Sequence, residues 1–403
     1  VTSPSSALES LLRDEWGRLL ALLVAQFRRL DLAEDGLAEA FEAAARTWTV
    51  APDNPPAWLL TAARRRVLDR LRAEAVAARK LPLLAVEASL QEEAQRVMAD
   101  ASAPVRDERL RLVLLCAHPS LPPESAAALT LRLVLGVPTE DVARLFLVPT
   151  PTMAARLTRA RKRLAGQSFE IPADLAPRVG VVADVAYLAF TAGYAPGSGP
   201  DVLRVEVSGK AIRLVRVLRE VLPPSYNLVE LDALLALMLL QHSRRDARTV
   251  DGRLVLLPDQ DRSRWDLADI TEGLDLLRPW VGAPASPYLL QALIAAEHAV
   301  ALAPGDTDWD RIVQRYFELE ALTGSPVVRL NRAVAVAEAS GPTAGLSVLD
   351  GLTLPGHRLP ATRAELLARS GRLDEARTAY DEAIGRCANL AERAHLIERR
   401  AQL

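Results

Sequence analysis

Apolar residues recur three and four positions apart along most of this chain, the spacing of helices that bury one face. Leu11, Leu12, Leu19, Leu22, Leu23 and Phe27 set the pattern for a first helix over about Leu8 to Leu30. A break at Asp31 precedes a second helix from about Ala33 to Trp48. Its Leu37, Phe41 and Ala45 point inward, and its Glu34, Asp35, Glu39 and Glu42 point to solvent. Pro52, Pro55 and Pro56 end it, and a third helix starts near Ala57. Further helical patterns run over 107–117, 124–135, 211–222 and 228–241.

The pattern is sharpest between Pro138 and Leu164, where two short helices flank a tight turn. Thr139 is expected to cap the first, with Glu140 and Asp141 at its positive end. Thr150 is expected to cap the second, with Pro151 at the first helical position. Met153, Leu157, Ala160 and Leu164 would form a buried face. Arg156, Arg159, Arg161, Lys162 and Arg163 make the other face cationic, with no acidic residue among them. Such a helix suits a helix-turn-helix, its first residues meeting base edges and its arginines neutralising phosphates. Spacing alone equally allows a surface helix with a solvated basic face.

Composition turns these patterns into a class. Half of the 403 residues are hydrophobic and only 4% aromatic, and few runs alternate polar with apolar, so an all-α protein is predicted. The formal net charge of -2 gives no global attraction to nucleic acid, so any affinity must come from local patches. One such patch is Arg64 to Lys80, where seven basic residues face only Asp69 and Glu74. An acidic helix followed by this basic one suggests a face for a protein partner and a face for nucleic acid. A three-helix core with charged outer surfaces fits the same pattern.

Chemistry of other kinds finds little support. The five histidines are scattered, and no nucleotide-binding loop or nucleophile–base pattern is visible, so no enzyme activity and no cofactor are expected. His118 beside Cys116 lacks the further ligands of a metal site. The glycines of 193–200 lack the following Lys-Ser/Thr of a phosphate loop. Asp259 to Asp266 mixes carboxylates with Arg262 and Arg264 and reads as a salt-bridged corner. The apolar run Leu228 to Leu240 is too short to span a bilayer and carries Glu230 and Asp232. With no secretion signal visible and two distant cysteines, Cys116 and Cys387, in helical patterns, a reducing cytoplasm is expected.

Asp31 to Phe41, Ala57-Trp58-Leu59 and Arg64 to Arg72 together resemble domain two of bacterial extracytoplasmic-function sigma factors. Asp107 to Leu164 resembles their domain four, in the same order and spacing. The resemblance implies that Asp31, Glu34, Asp35, Glu39 and Phe41 dock on the clamp coiled coil of core RNA polymerase. It implies that Trp58, Arg64, Arg65, Arg66, Arg70 and Arg72 bind and open the minus-ten promoter element. Thr150, Thr152, Arg156, Thr158, Arg159 and Arg163 would meet the minus-thirty-five element. Two departures are Ala38, where many relatives carry Gln, and Ala154-Ala155, where a basic residue and Ser are common.

Arg363 to Ile384 resembles a tetratricopeptide unit with Gly371 at its turn, and a weaker copy runs from Asn331 through Gly341 to Leu349. The whole pattern is similar to the sigma-factor group with a long tetratricopeptide-like C-terminal extension implicated in controlling sigma activity. The concave face of such an array often binds a regulatory protein or peptide. The expected organisation is domain two at 1–80, a linker at 81–105, domain four at 106–168 and the regulatory array at 169–403. A stand-alone helix-turn-helix regulator with a helical sensor domain is the rival; it leaves the acidic-then-basic block unexplained.

Overall fold

The computed structural model describes residues 4–77, 103–146, 148–164, 167, 171, 173–194, 203–250 and 253–403. The linker expected over 81–105 lies almost wholly outside the described residues, as does most of the glycine loop after Gly193. The chain is all-α apart from one antiparallel pairing of β1 (Thr249–Val250) with β2 (Arg253–Leu254). It divides into two compact units, 1–186 with 216–224, and 187–215 with 225–403.

The first unit opens with α1 (Pro4–Phe27), α2 (Leu30–Thr47) and α3 (Pro55–Ala77). Trp16, Leu19, Leu20 and Leu23 of α1, Leu37, Ala40 and Ala44 of α2, and Leu59, Ala63 and Val67 of α3 are buried together. Two helix starts differ from the sequence reading. The break falls at Arg28, which adopts a positive φ of 53°, so α2 begins at Leu30 rather than Ala33. Pro55 and Pro56 open α3 instead of preceding it, because proline suits the first turn and Asn54 Oδ1 accepts the Ala57 N–H at 3.2 Å. On α2, Ala44 is buried, Ala45 is exposed, and Phe41 is half-buried with its ring 5.7 Å from that of Trp16.

The same unit continues with α4 (Ala103–Cys116), α5 (Pro123–Leu129), a π turn (Thr130–Val134), α6 (Thr139–Leu145) and α7 (Thr150–Leu164). The π turn replaces the second half of the helix expected over 124–135. Thr139 does not cap α6. Pro138, with its restricted φ, holds that place, and Glu140 and Asp141 fill the first turn. Thr150 is likewise the first helical residue of α7, and Pro149 gives its carbonyl to Met153 N–H at 3.1 Å.

α8 (Ala176–Tyr194) and α9 (Val205–Val221) follow. The second unit is centred on α10 (Val229–His242), in which every residue from Leu231 to Leu240 is buried. α10 packs on α11 (Leu267–Leu277) and α12 (Pro287–Val300). Thereafter α12, α13 (Trp309–Thr323), α14 (Pro326–Ser340), α15 (Pro342–Val348), α16 (Arg358–Arg369), α17 (Leu373–Arg386) and α18 (Leu390–Ala401) pack each on the next. α16 and α17 form a hairpin around Gly371, with Ala376, Tyr380 and Ala383 buried as the sequence spacing predicts.

The corner at 259–266 is salt-bridged, with a different partner from the one expected. Arg245 takes Asp266 at 2.5 Å and Asp269 at 2.7 Å, and Asp266 Oδ1 also caps α11. Arg262 turns instead to the carbonyls of His298 and Ala301.

Candidate nucleic-acid interface

Helix α7 follows the binary pattern closely. Met153, Leu157, Ala160 and Leu164 are buried against the unit, while Thr150, Thr152, Thr158, Arg159, Lys162 and Arg163 are exposed. Arg156 lies half-buried with its guanidinium 5.8 Å from the centre of the Phe146 ring. Thr158 Oγ1 bonds the Ala154 carbonyl at 3.0 Å, which holds its methyl group outward. The result is a short capped helix with a cationic outer face opposite its packed face, preceded by α6 across a tight turn.

Arg161 leaves that face. Its guanidinium reaches Glu34 Oε2 at 2.7 Å, and Arg132 Nε donates to Glu34 Oε1 at 2.8 Å. Glu34 is only 3% exposed. The sequence places it on the solvent side of α2; here it is buried and accepts from two arginines of the later helices. Helical periodicity explains the difference, since Glu34 follows Ala33 and precedes Leu37 on the flank of the apolar stripe. A flank residue is outside only until another layer covers it.

The covering layer arrives through small residues. A side chain at Gly17 would place its Cβ 2.2 Å from the Val134 carbonyl oxygen, so only glycine lets α1 approach the π turn this closely. Gly136 adopts a positive φ of 66°, and a Cβ there would meet Trp16 Cγ at 2.9 Å. Arg132 also lies 5.3 Å from the Trp16 ring centre. α1 thus packs on both α4 and the π turn as well as on α2 and α3.

The other acidic residues of α2 are partnered within the first three helices. Arg70 binds Asp35 at 2.8 Å and also Glu39, which Arg66 approaches at 3.3 Å. Arg29 pairs with Asp31 and with Glu74, and holds the Asp31 carboxyl below the usual carboxylate range. On α3, Arg65 and Arg72 are exposed, Arg72 meets Asp69 at 3.0 Å, and burial disfavours the charged form of Arg64. Trp58 is half-buried, edge-on to Trp48 with ring centres 5.3 Å apart. Asp35 and Glu39 of α2 are therefore brought together with Arg66 and Arg70 of α3 as ion pairs, and α7 reaches α2 through Arg161.

Both cysteines are buried free thiols. His357, Cys387 and Glu392 bring three donor atoms within 4.8 Å of one another, but His357 Nε2 already meets Glu392 at 2.9 Å and the fields of Arg358 and Arg248 reach the same carboxylate. The contact between His357 and Glu392 already engages two of the three donors, with arginines close to the carboxylate. Among the described residues no helix is long and apolar enough to cross a membrane.

The helix-turn-helix and its supports, residues 111–164, match the family Sigma-70, region 4. This part of the molecule is thus a sigma-70 region 4 helix-turn-helix domain, which supports DNA binding and a role in transcription. The chain belongs to the same family as an uncharacterized protein of Rhizobium meliloti (strain 1021), to which it is 40% identical over 394 residues, 94% of this chain and 91% of that protein. Residues 178–280 match a family of unknown function (DUF6596). No solved structure matches the chain.

Proposed function

We propose that the protein is an alternative sigma subunit of bacterial RNA polymerase, of the extracytoplasmic-function kind, whose helical C-terminal part controls its activity. The observation that carries this reading is the outer face of α7, where Thr152, Arg159 and Arg163 are exposed on a region 4 recognition helix. Residues 106–168 read the minus-thirty-five element through that face. Residues 1–80 dock on polymerase through α2 and open the minus-ten element through α3, with Trp58 and Arg65 offered to unstacked bases and phosphates. Residues 169–403 form a tetratricopeptide-like array that holds a regulatory protein or peptide.

The geometry adds a feature to this reading. Glu34, one of the polymerase-facing carboxylates, is already taken by Arg132 and Arg161. In this form one carboxylate of the polymerase face is held by Arg161 of the recognition helix and by Arg132, and engagement of core polymerase exchanges that contact for an external one.

Run-off transcription with purified core polymerase, on a promoter from DNA upstream of the protein's own gene, tests the reading. Specific initiation that disappears in an Asp35→Ala, Glu39→Ala double variant supports it. Tight duplex binding by the free protein, with no initiation and no core binding, replaces it with a stand-alone regulator.

A further inference from the structure

The second unit contains a cavity of about 530 Å³, within the usual range of roughly 300–1,000 Å³ for small-ligand sites. Tyr187, Trp265, Tyr316, Leu237 and Ile294 supply much of its wall, and Gln241, Gln291 and Asn331 place amides among them. Its charged lining residues are Arg244 and Arg358; no Asp or Glu lines it.

That imbalance is unusual within its own surroundings. The neighbouring arginines are matched: Arg245 by Asp266 and Asp269, Arg315 by Glu297, Arg332 by Glu320. Among the described residues Arg244 has no carboxylate within ion-pair distance. Its guanidinium donates to the Tyr194 hydroxyl and lies 5.9 Å from the Trp265 ring centre. Two more arginines stand beside it in the same condition, Arg248 at 3.8 Å from the Tyr194 ring centre and Arg262 at 4.5 Å from that of Trp265. The fields of Asp306 and Glu392 reach Arg262 and Arg248 from beyond ion-pair distance, and Glu392 also meets His357. Of the three arginines, only Arg244 lines the cavity, and its partly buried charge faces a lining in which no carboxylate is seen, an arrangement that is costly without a counter-ion.

We infer that this cavity binds a small organic anion, an aromatic or apolar body carrying one carboxylate or phosphate, with Arg244 as the anchoring cation. The body lies against Tyr187, Trp265 and Tyr316, and the amides fix its orientation. Burial pushes the Tyr316 hydroxyl up to about 12, so it remains a donor. His298 is held down to about 4 by burial and by Arg244 and Arg262, so it stays neutral and adds no competing charge. The site stands independently of the transcription reading.

Fluorescence titration of the full chain tests it with anilinonaphthalene sulfonate, an aromatic anion, beside phenylnaphthylamine, the same rings without charge. One saturable site per chain is expected, binding the anion about tenfold more tightly than the neutral dye. Arg244→Gln weakens the anion about tenfold and leaves the neutral dye unchanged. Displacement by salicylate marks a carboxylate site, and displacement by phenyl phosphate a phosphate site. Should Arg244→Gln lose its helical circular dichroism, Arg358→Gln at the exposed rim carries the test with a smaller loss of anion affinity. Equal binding of both dyes, or anion affinity indifferent to the folded variant, overturns the inference.

Discussion

One cluster of buried arginines in the first unit and one in the second are handled in opposite ways. In the first, Arg132 and Arg161 converge on one carboxylate, and Glu34 is almost wholly covered between them. In the second, Arg244, Arg248 and Arg262 gather on aromatic rings, and among the described residues no carboxylate comes within ion-pair distance of any of them. The same side chain closes an interior contact in one place and leaves an unmet charge in the other. A closed pair is weak evidence for net stability, because desolvation offsets most of the attraction; its removal from one side alone is what hurts. An unmet charge has no such internal partner to lose, and its effects emerge when something enters.

The sharpest way to break this contrast is Glu34→Ala. It leaves two partly buried arginines facing each other and is expected to cost about 3–5 kcal/mol. Urea unfolding followed by the fluorescence of Trp16, in a variant retaining this tryptophan alone, measures it. A loss below about 0.5 kcal/mol would mean that the pair is only decorative. Next comes Gly17→Ala, which drives a methyl into the Val134 carbonyl and costs about 1–3 kcal/mol in the same assay. The double variant should lose less than the sum of the two, because both changes open one interface.

The second unit is sharpened by pH. His298 titrates near 4 in the folded chain and at its ordinary 6.5 when unfolded. The unfolded state therefore binds the extra proton first, so stability present above pH 6.5 is lost as pH falls towards 4. His298→Gln should flatten that slope in thermal melts between pH 7 and pH 4. Arg372→Ala, which opens the exposed pair with Glu375, is the smallest effect: its melting temperature should barely move.

Much of the first unit was legible residue by residue. Met153, Leu157, Ala160 and Leu164 are buried at the predicted spacing, and in the second unit the hairpin at Gly371 stands where its small residues place it. The cap assignments at Thr139 and Thr150 moved by one residue because the preceding prolines already supply an extended backbone and a free carbonyl. Glu34 could not be read from its own helix: periodicity describes one face, and the arginines that bury it come from much later in the chain. A signal did exist in Gly17, a glycine inside a leucine-rich helix, which marks a close approach even when its partner is unknown. The cavity was invisible for a related reason. Its wall draws residues from α8, α10, α12, α13 and α14, far apart in sequence, and no local pattern announces a charge without a partner.

The Glu34 contact has a quantitative consequence for the proposed role. A carboxylate claimed by its own chain cannot also be offered outward, so the apparent affinity for polymerase equals the intrinsic affinity scaled by the open fraction. Each 1.4 kcal/mol by which Arg132 and Arg161 favour closure therefore raises the polymerase concentration needed for half-occupancy by about tenfold. The interior of the first unit would then act as a threshold, with its height written in two arginines.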